Sequence, residues 1–447
     1  SRLWLKQISL FSQVFVPMTD RANDCDSDLL SDSGDDEEQR NREHLLSLNP
    51  FSLRNFSKAK AWYMAEFDVE KWVFQLKDVT APTAISRISW EEGLALQHCY
   101  QEACCCHKGK ITDEDKTAIE SLLDKIRRLM HELGAHCENN RGFFVRLGPR
   151  SPKDAPMHLN DPPAFLTERW NLSKEKIGAA VKLAVSDLDF TESSVACNAN
   201  AHALLQRFQT ASYSLLRSTS EYDAISLLIC SSRVMQDVSR TRDHGEHTWN
   251  MSLVVRAWDD NFRLDREFRT FVVGGEITAI AQYDDQLCYS FVKDYPESIV
   301  KAIVRSLDSI RPNLDSLGLT SASMAVVVDF LVVPGDAVAG GDTSTWSAQV
   351  VELNPFGPAT GAPLFNWHTD RRVLQGGRDL YGDLEECERQ HPAGSEPLPK
   401  FAAEEVIDGI PFRYIASNPP NFTWDHLSAF WADYLGLAFP ALGCMRR

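Results

Sequence analysis

Hydrophobic residues along this chain switch between two periods, and the switches divide it into helices and strands. Trp90 to Cys106 and Ile111 to Cys137 are predicted helices. In the second, Ala118, Ile119, Leu122, Leu123, Ile126, Leu129, Met130 and Leu133 recur at helical spacing behind the acidic start Thr112-Asp-Glu-Asp115. Phe143-Phe-Val-Arg-Leu147 is a short strand running into the turn Gly148-Pro-Arg-Ser-Pro-Lys-Asp154. Ala201–Leu216 and Asp223–Val238 follow as two helices, then Met251–Trp258 as a strand. Glu267–Val273, Gly274-Gly275 and Glu276–Tyr283 spell a hairpin, because a two-residue Gly-Gly loop suits the primed turns that match strand twist. Tyr295–Ile310 is helical, and Met324–Val333 and Ala348–Phe356 are strong apolar runs. Helices interspersed with antiparallel strands and hairpins, without internal repeats, predict an α+β fold.

The last two runs each contain acid where burial is expected: Asp329 in the first, Glu352 and Asn354 in the second. A carboxylate within a buried strand needs a compensating cation or metal. Glu352 and Asn354 lie two apart and so share one strand face. A hairpin folded about Gly340-Gly341 puts Asp329 opposite Glu352 and yields an all-oxygen pocket suited to Mg²⁺. The competing reading is that Asp329 pairs with a basic neighbour in an ordinary core.

Composition narrows the partners. The 447 residues carry 46 basic and 63 acidic side chains, a formal charge of −17, so a nucleic-acid partner is not expected. Residues 19–46, through Asp35-Asp-Glu-Glu38, are acidic and serine-rich and read as a disordered linker. The 11 cysteines are scattered apart from Cys104-Cys105-Cys106, which fits a reducing compartment rather than a disulfide framework. His98, Cys99, Cys104, Cys105, Cys106 and His107 could ligate a metal, but without a second CxxC or HxxxH partner the residues favour a helix packed on the core. His244 and His247 stand in a polar loop. No run reaches the roughly 18 apolar residues of a membrane span, so no membrane role is expected. Ser1–Pro17 lacks a signal-peptide cleavage pattern, and the Ser1 start leaves room for an upstream segment.

Three further clusters make sense if Mg²⁺ carries a nucleotide. The turn Arg150-Ser151-Pro152-Lys153 offers cations and a hydroxyl beyond strand residue Arg146, Arg256 lies among apolar residues in Leu253–Trp258, and Glu267 and Arg269 share a strand face. Singly, each is better explained by a charged turn or a structural ion pair; jointly they describe a phosphate cleft. No P-loop, G-x-G-x-x-G or kinase signature is present. What remains is the arrangement of an ATP-grasp fold, two lobes with antiparallel sheets enclosing a nucleotide cleft.

The blocks Phe143-Phe-Val-Arg-Leu147, Arg150-Ser-Pro-Lys-Asp154, Leu253–Trp258, Arg266-Glu-Phe-Arg-Thr-Phe-Val272, Ile277–Gln282, Val328-Asp-Phe330, Glu352-Leu-Asn-Pro-Phe356 and Leu364-Phe-Asn-Trp367 resemble, in order, the cell division cycle protein 123 family. The similarity spans about residues 68–370. It implies an ATP-grasp domain at 47–375, between an N-terminal segment at 1–46 and a C-terminal extension at 376–447. It further implies a cytoplasmic, monomeric, ATP-dependent chaperone that binds the gamma subunit of eukaryotic translation initiation factor 2 and promotes assembly of the heterotrimer. The alternative is an ATP-grasp ligase or kinase acting on another acceptor. Carried over by residue, the resemblance sets Arg146 and Lys153 at the phosphates with Ser151 in their turn, and Arg256, Ala257 and Trp258 by the adenine and ribose. Arg269 and Gln282 would line the cleft, and Asp329, Glu352 and Asn354 would hold Mg²⁺. The chain departs from the family at Arg146, where Lys is frequent, at Glu352, where Asp is usual, and at Tyr283, where an Arg often follows the Gln. The last change removes a cation. With extra sequence at 155–200 and a long tail, these departures fit a divergent paralogue.

Overall fold

A computed structural model describes residues 66–104, 111–134, 142–157, 163–169, 198–322, 324–335, 345–380, 382, 384–392 and 397–418, all within the unit Leu48–Arg447. The acidic stretch 19–46, Cys105, Cys106, His107 and the Gly340-Gly341 midpoint lie outside the described residues.

Two sheets organise the described chain. The smaller one orders β1 (Thr83–Ile88), β3 (Met251–Ala257) and β2 (Phe143–Leu147) as β1-β3-β2, antiparallel throughout. Alternate residues Val145, Leu147, Met251, Leu253 and Val255 face a core shared with the helices Trp90–Cys104, Asp113–Gly134, Glu221–Cys230 and Ser232–Asp243. The intervening positions, Phe144, Arg146, Val254 and Arg256, therefore point the other way. β1 carries only Ala84, Ser86 and Ile88 towards the helices, a signal too faint for its apolar pattern to announce a strand.

The larger sheet contains β4 (Glu267–Val273), β5 (Glu276–Gln282), β6 (Ala325–Val333), β7 (Ser347–Pro355), β8 (Ala402–Ile407) and β9 (Ile410–Ile415), in the order β7-β6-β4-β5-β9-β8. Only the β5–β9 contact is parallel. One face, with Phe268, Val272, Ile280, Val328, Phe330, Val350 and Phe412, packs on the helix Pro296–Ser316 through Ile299, Ile303, Leu307 and Ile310. The opposite face carries Phe271 against Phe356, Phe365 and Trp367, with ring centroids 6.3, 5.7 and 5.6 Å away. Gly274 and Gly275 at φ +58° and +77° make the primed turn that the hairpin requires.

The structure revises two boundaries. Asp223–Val238 is two helices, interrupted at Ser231, whose extended backbone (φ −85°, ψ 112°) lets its hydroxyl accept from Val234 N and donate to Asp154. The expected C-terminal extension at 376–447 contributes β8 and β9 to the larger sheet, so the domain does not stop at residue 375. Among the described residues no helix is long and apolar enough to cross a membrane.

Truncating Phe271→Ala should remove the anchor of the aromatic cluster and lower unfolding free energy by about 3–5 kcal/mol. The shift in the denaturant midpoint at constant slope measures it.

Candidate functional site

The polar face of the larger sheet is built one row at a time. Register places Arg269 of β4 beside Asp329 of β6, and Asp329 beside Glu352 of β7, so the three side chains form a row across three strands. The hairpin expectation for Asp329 and Glu352 is met in the register. A bulge after this pair lets Phe330 face Val350 and leaves Val351 as the extra residue, which brings Gln349 to the same face as Glu352. Glu267, opposite Leu331, begins the next row.

Each carboxylate on this face has a cationic partner. Arg269 donates Nε and Nη2 to the two Asp329 oxygens at 2.8 and 2.7 Å, and Nη1 to the Gly361 carbonyl at 2.7 Å. Asp329 is thus paired with a basic neighbour, as the competing reading required. Asn354 also donates Nδ2 to Asp329 Oδ2 at 3.0 Å, keeping the two proposed metal ligands together. Arg146, from the smaller sheet, donates Nη1 to Glu352 Oε1 at 2.6 Å and its other nitrogens to the carbonyls of Leu147 and Gly148. Lys153 donates Nζ to Glu267 Oε1 at 3.1 Å. Arg256 donates Nη1 to the Val351 carbonyl at 2.8 Å and Nη2 to the Thr80 hydroxyl. The bulge is therefore gripped from the smaller sheet's side, and Thr80 Oγ1 and Val350 N complete the grip through Val350 O and Val79 O, each at 2.7 Å.

Between the sheets lies a cleft lined by Arg146, Ser151, Lys153, Arg256, Ala257, Trp258 and Glu352, all expected site residues. Its apolar wall adds Phe144, Tyr213, Leu216 and Phe262, with Tyr213 and Phe262 stacked at 5.7 Å. Tyr213 and Phe262 were missed because they come from a helix and a loop that carry no recognisable motif and meet only through tertiary packing. Arg269, Asp329 and Asn354 adjoin this cleft through Glu352's row rather than lining it. Gln282 is a correction. Fully buried, it donates Nε2 to the Asp284 and Leu287 carbonyls at 2.5 and 2.6 Å and accepts from Ile415 N at 3.3 Å. Opposite Phe268 on the core side of the sheet, it ties β5 to β9 and does not line the cleft. Arg150 likewise turns away to Asp237, at 2.7 Å.

The electrostatics follow from crowding. Burial pushes the Glu352 carboxyl up, but Arg146, Lys153 and Arg269 outweigh it and hold the group at about 2. Burial lowers Arg256, aided by Arg146, to about 10. Burial also opposes the charge on Lys153, yet Glu267 and the neighbouring tyrosines raise it well above the usual lysine range. Glu267 itself moves up, because its desolvation exceeds the help from Lys153.

The oxygen donors of Asp329, Glu352 and Asn354 fit a hard cation such as Mg²⁺: two carboxylates and an amide on facing strands, with lone pairs beyond those used by the guanidinium groups. Among the described residues, no group of three or more His, Cys, Asp and Glu is gathered for a metal. His98 instead bonds Asp115 at 2.8 Å and Cys99 is buried in the helical core, which is the packing role expected of them.

Fold and site together define an α+β protein whose two antiparallel-rich sheets flank a charged cleft with an aromatic wall. The D123 family model matches residues 208–425 of this chain. The matched stretch includes Arg256, Arg269, Asp329, Glu352 and Asn354, whereas Arg146, Ser151 and Lys153 precede it. A protein named "Translation initiation factor eIF2 assembly protein", from Dictyostelium discoideum, is 27% identical over 201 residues, covering 44% of this chain and 48% of that protein. The chain thus matches about half the length of this curated relative. Among solved structures, Cdc123 from Schizosaccharomyces pombe is similar at 18% identity and a TM-score of 0.41, over 68% of this chain and 89% of that one. A C-terminally truncated form of the same protein gives 17% identity and a TM-score of 0.42 over the same shares.

The Glu352 pair sets an acid dependence. A carboxyl lowered from 4.5 to about 2 stabilises the fold fully above its unfolded value and loses that contribution as pH falls towards 2. Wild-type stability in urea should therefore decline between pH 4.5 and 2 more steeply than that of Glu352→Gln. Parallel slopes would remove Glu352 from this role.

Proposed function

We propose that this chain binds ATP with Mg²⁺ between its two sheets, in an ATP-grasp manner, and uses the bound state to assist assembly of eukaryotic translation initiation factor 2, engaging its gamma subunit in the cytoplasm. The observation that carries the reading is the convergence of Arg146, Lys153 and Arg256 with an aromatic wall in a single cleft beside Glu352. Guanidinium and ammonium groups supply the charge-assisted bonds that phosphates demand. Trp258, Phe144 and the stacked Tyr213–Phe262 pair offer flat apolar surface for a base. The match to the D123 family model, and similarity to a protein named for assembly of the initiation factor, support the choice of partner.

Asp329, Glu352 and Asn354 would hold the Mg²⁺, which when bound would neutralise phosphate charge beside the carboxylates. The chain's own residues do the rest. Arg146 and Lys153 orient the phosphates, and Arg256 keeps the β7 bulge against the smaller sheet. Closure of the cleft on the nucleotide then presents one composite surface to the partner.

Incubating the purified chain with ATP and Mg²⁺, with and without recombinant gamma subunit, tests this through co-elution and ADP release. Nucleotide-dependent co-elution supports the assembly role. Rapid ADP release without co-elution would point instead to a ligase or kinase. In the same assay Glu352→Gln should weaken Mg²⁺-dependent ATP binding by at least about tenfold, or 1.4 kcal/mol.

A further inference from the structure

We propose that Glu267 is a built-in competitor for Lys153, so that a polyphosphate enters the cleft only by exchanging with this carboxylate, and that the exchange makes binding depend on a divalent cation. The inference rests on the polyphosphate reading of the cleft and assigns a role to a residue outside the phosphate and metal sets described above.

Three observations carry it. Glu267 is 1% exposed, and among the described residues no hydrogen-bond partner reaches its Oε2, while Oε1 receives only Lys153. A buried carboxylate oxygen left bare costs free energy, so this carboxylate is the least satisfied on the sheet face. Its 3.1 Å bond to Lys153 is also longer than the 2.6 Å bond of Arg146 to Glu352 and the 2.7 and 2.8 Å bonds of Arg269 to Asp329. Finally, Lys153 Nζ stands 5.8, 5.9 and 4.6 Å from the ring centroids of Tyr213, Phe262 and Tyr283, which hold a cation without neutralising it. The ammonium is thus positioned independently of Glu267 and can change its anionic partner without being repositioned.

Charge balance supplies the second half. Four cations, Arg146, Lys153, Arg256 and Arg269, share the region with Glu267, Asp329 and Glu352, and Asp259 lines the cleft as a fourth carboxylate. A bare polyphosphate entering this nearly neutral region meets cations already engaged. Moving Lys153 onto a phosphate oxygen strips Glu267 of its counter-charge, and a buried carboxylate cannot stay ionised unpaired. A divalent ion arriving with the phosphate restores that counter-charge. Removing the charge of Glu267 removes the requirement.

The test is titration calorimetry of the full chain with tripolyphosphate in the presence of a chelator, compared with tripolyphosphate plus Mg²⁺. Glu267→Gln should bind the metal-free ligand at least about tenfold more tightly than wild type and shrink the ratio between the two conditions. The gain should vanish in the Glu267→Gln, Lys153→Gln double variant, since it acts through the freed ammonium. An unchanged or weaker affinity for Glu267→Gln, or a gain that persists without Lys153, overturns the proposal. Glu267→Met, an apolar replacement of similar size, gives the same reading should the glutamine variant fail to fold. Wild type that binds ATP with Mg²⁺ while Glu267→Gln shows no gain would overturn the competitor role and leave the nucleotide reading standing. Wild type and variant that both fail with either ligand would overturn both.

Discussion

The ion pair between Arg146 and Glu352 is the constraint on which the cleft depends, because it is a charged bond that runs from one sheet to the other. Arg146 lies on the face of β2 turned away from the helical core, and Glu352 on the face of β7 turned away from the main core. Neither charge could be buried alone. Removing one partner of such a pair typically costs about 3–5 kcal/mol, because the remaining charge is stranded. The pair therefore makes the relative placement of the sheets a condition of burying either strand. Arg256 reinforces it with a bond to the Val351 carbonyl, which the bulge exposes.

From that pair the charges propagate along one row. Arg146, Glu352, Asp329 and Arg269 alternate as cation, two anions and cation, and Asn354 joins the second anion. The two acids are held side by side only because guanidinium groups close both ends. Their engagement with arginines keeps both acids ionised inside the fold, and the Mg²⁺ proposed above would draw on the lone pairs that remain. One set of residues can thereby serve structure and ligand binding, which is why a structural ion pair and a functional site are not competing explanations for Asp329.

The sequence made this row legible because acids in strongly apolar strands stand out and the register of a hairpin follows from its length. Most of the helical and strand core was equally open to period counting, from Asp113–Gly134 to β4 and β5. What escaped was set by contacts distant in the chain. β9 pairs in parallel with β5 more than a hundred residues away, and Ala402-Ala-Glu-Glu-Val-Ile407 has no clean alternation because β8 is an edge strand. Gln282 was assigned to the cleft on resemblance, yet period two puts it on the opposite face from Ala281's neighbour Arg269, where its amide is consumed by backbone. Tyr213 and Phe262 reach the cleft through tertiary packing that no local pattern encodes.

Tyr283 stands where the resemblance leads one to expect an arginine, which would add a fifth cation to the four here. The tyrosine instead places its ring 4.6 Å from Lys153 Nζ and 4.8 Å from the Arg269 guanidinium, between the cations of two neighbouring ion pairs. A ring face attracts both without competing for their hydrogen bonds to Glu267 and Asp329. The residue thus exchanges charge for position: fewer positive charges meet the ligand, but the two that remain here are held by contacts that survive when their carboxylate partners are drawn elsewhere. The Arg146–Glu352 bond across the cleft acts in the same direction. Such bonds close the cleft on itself and leave a ligand to displace them.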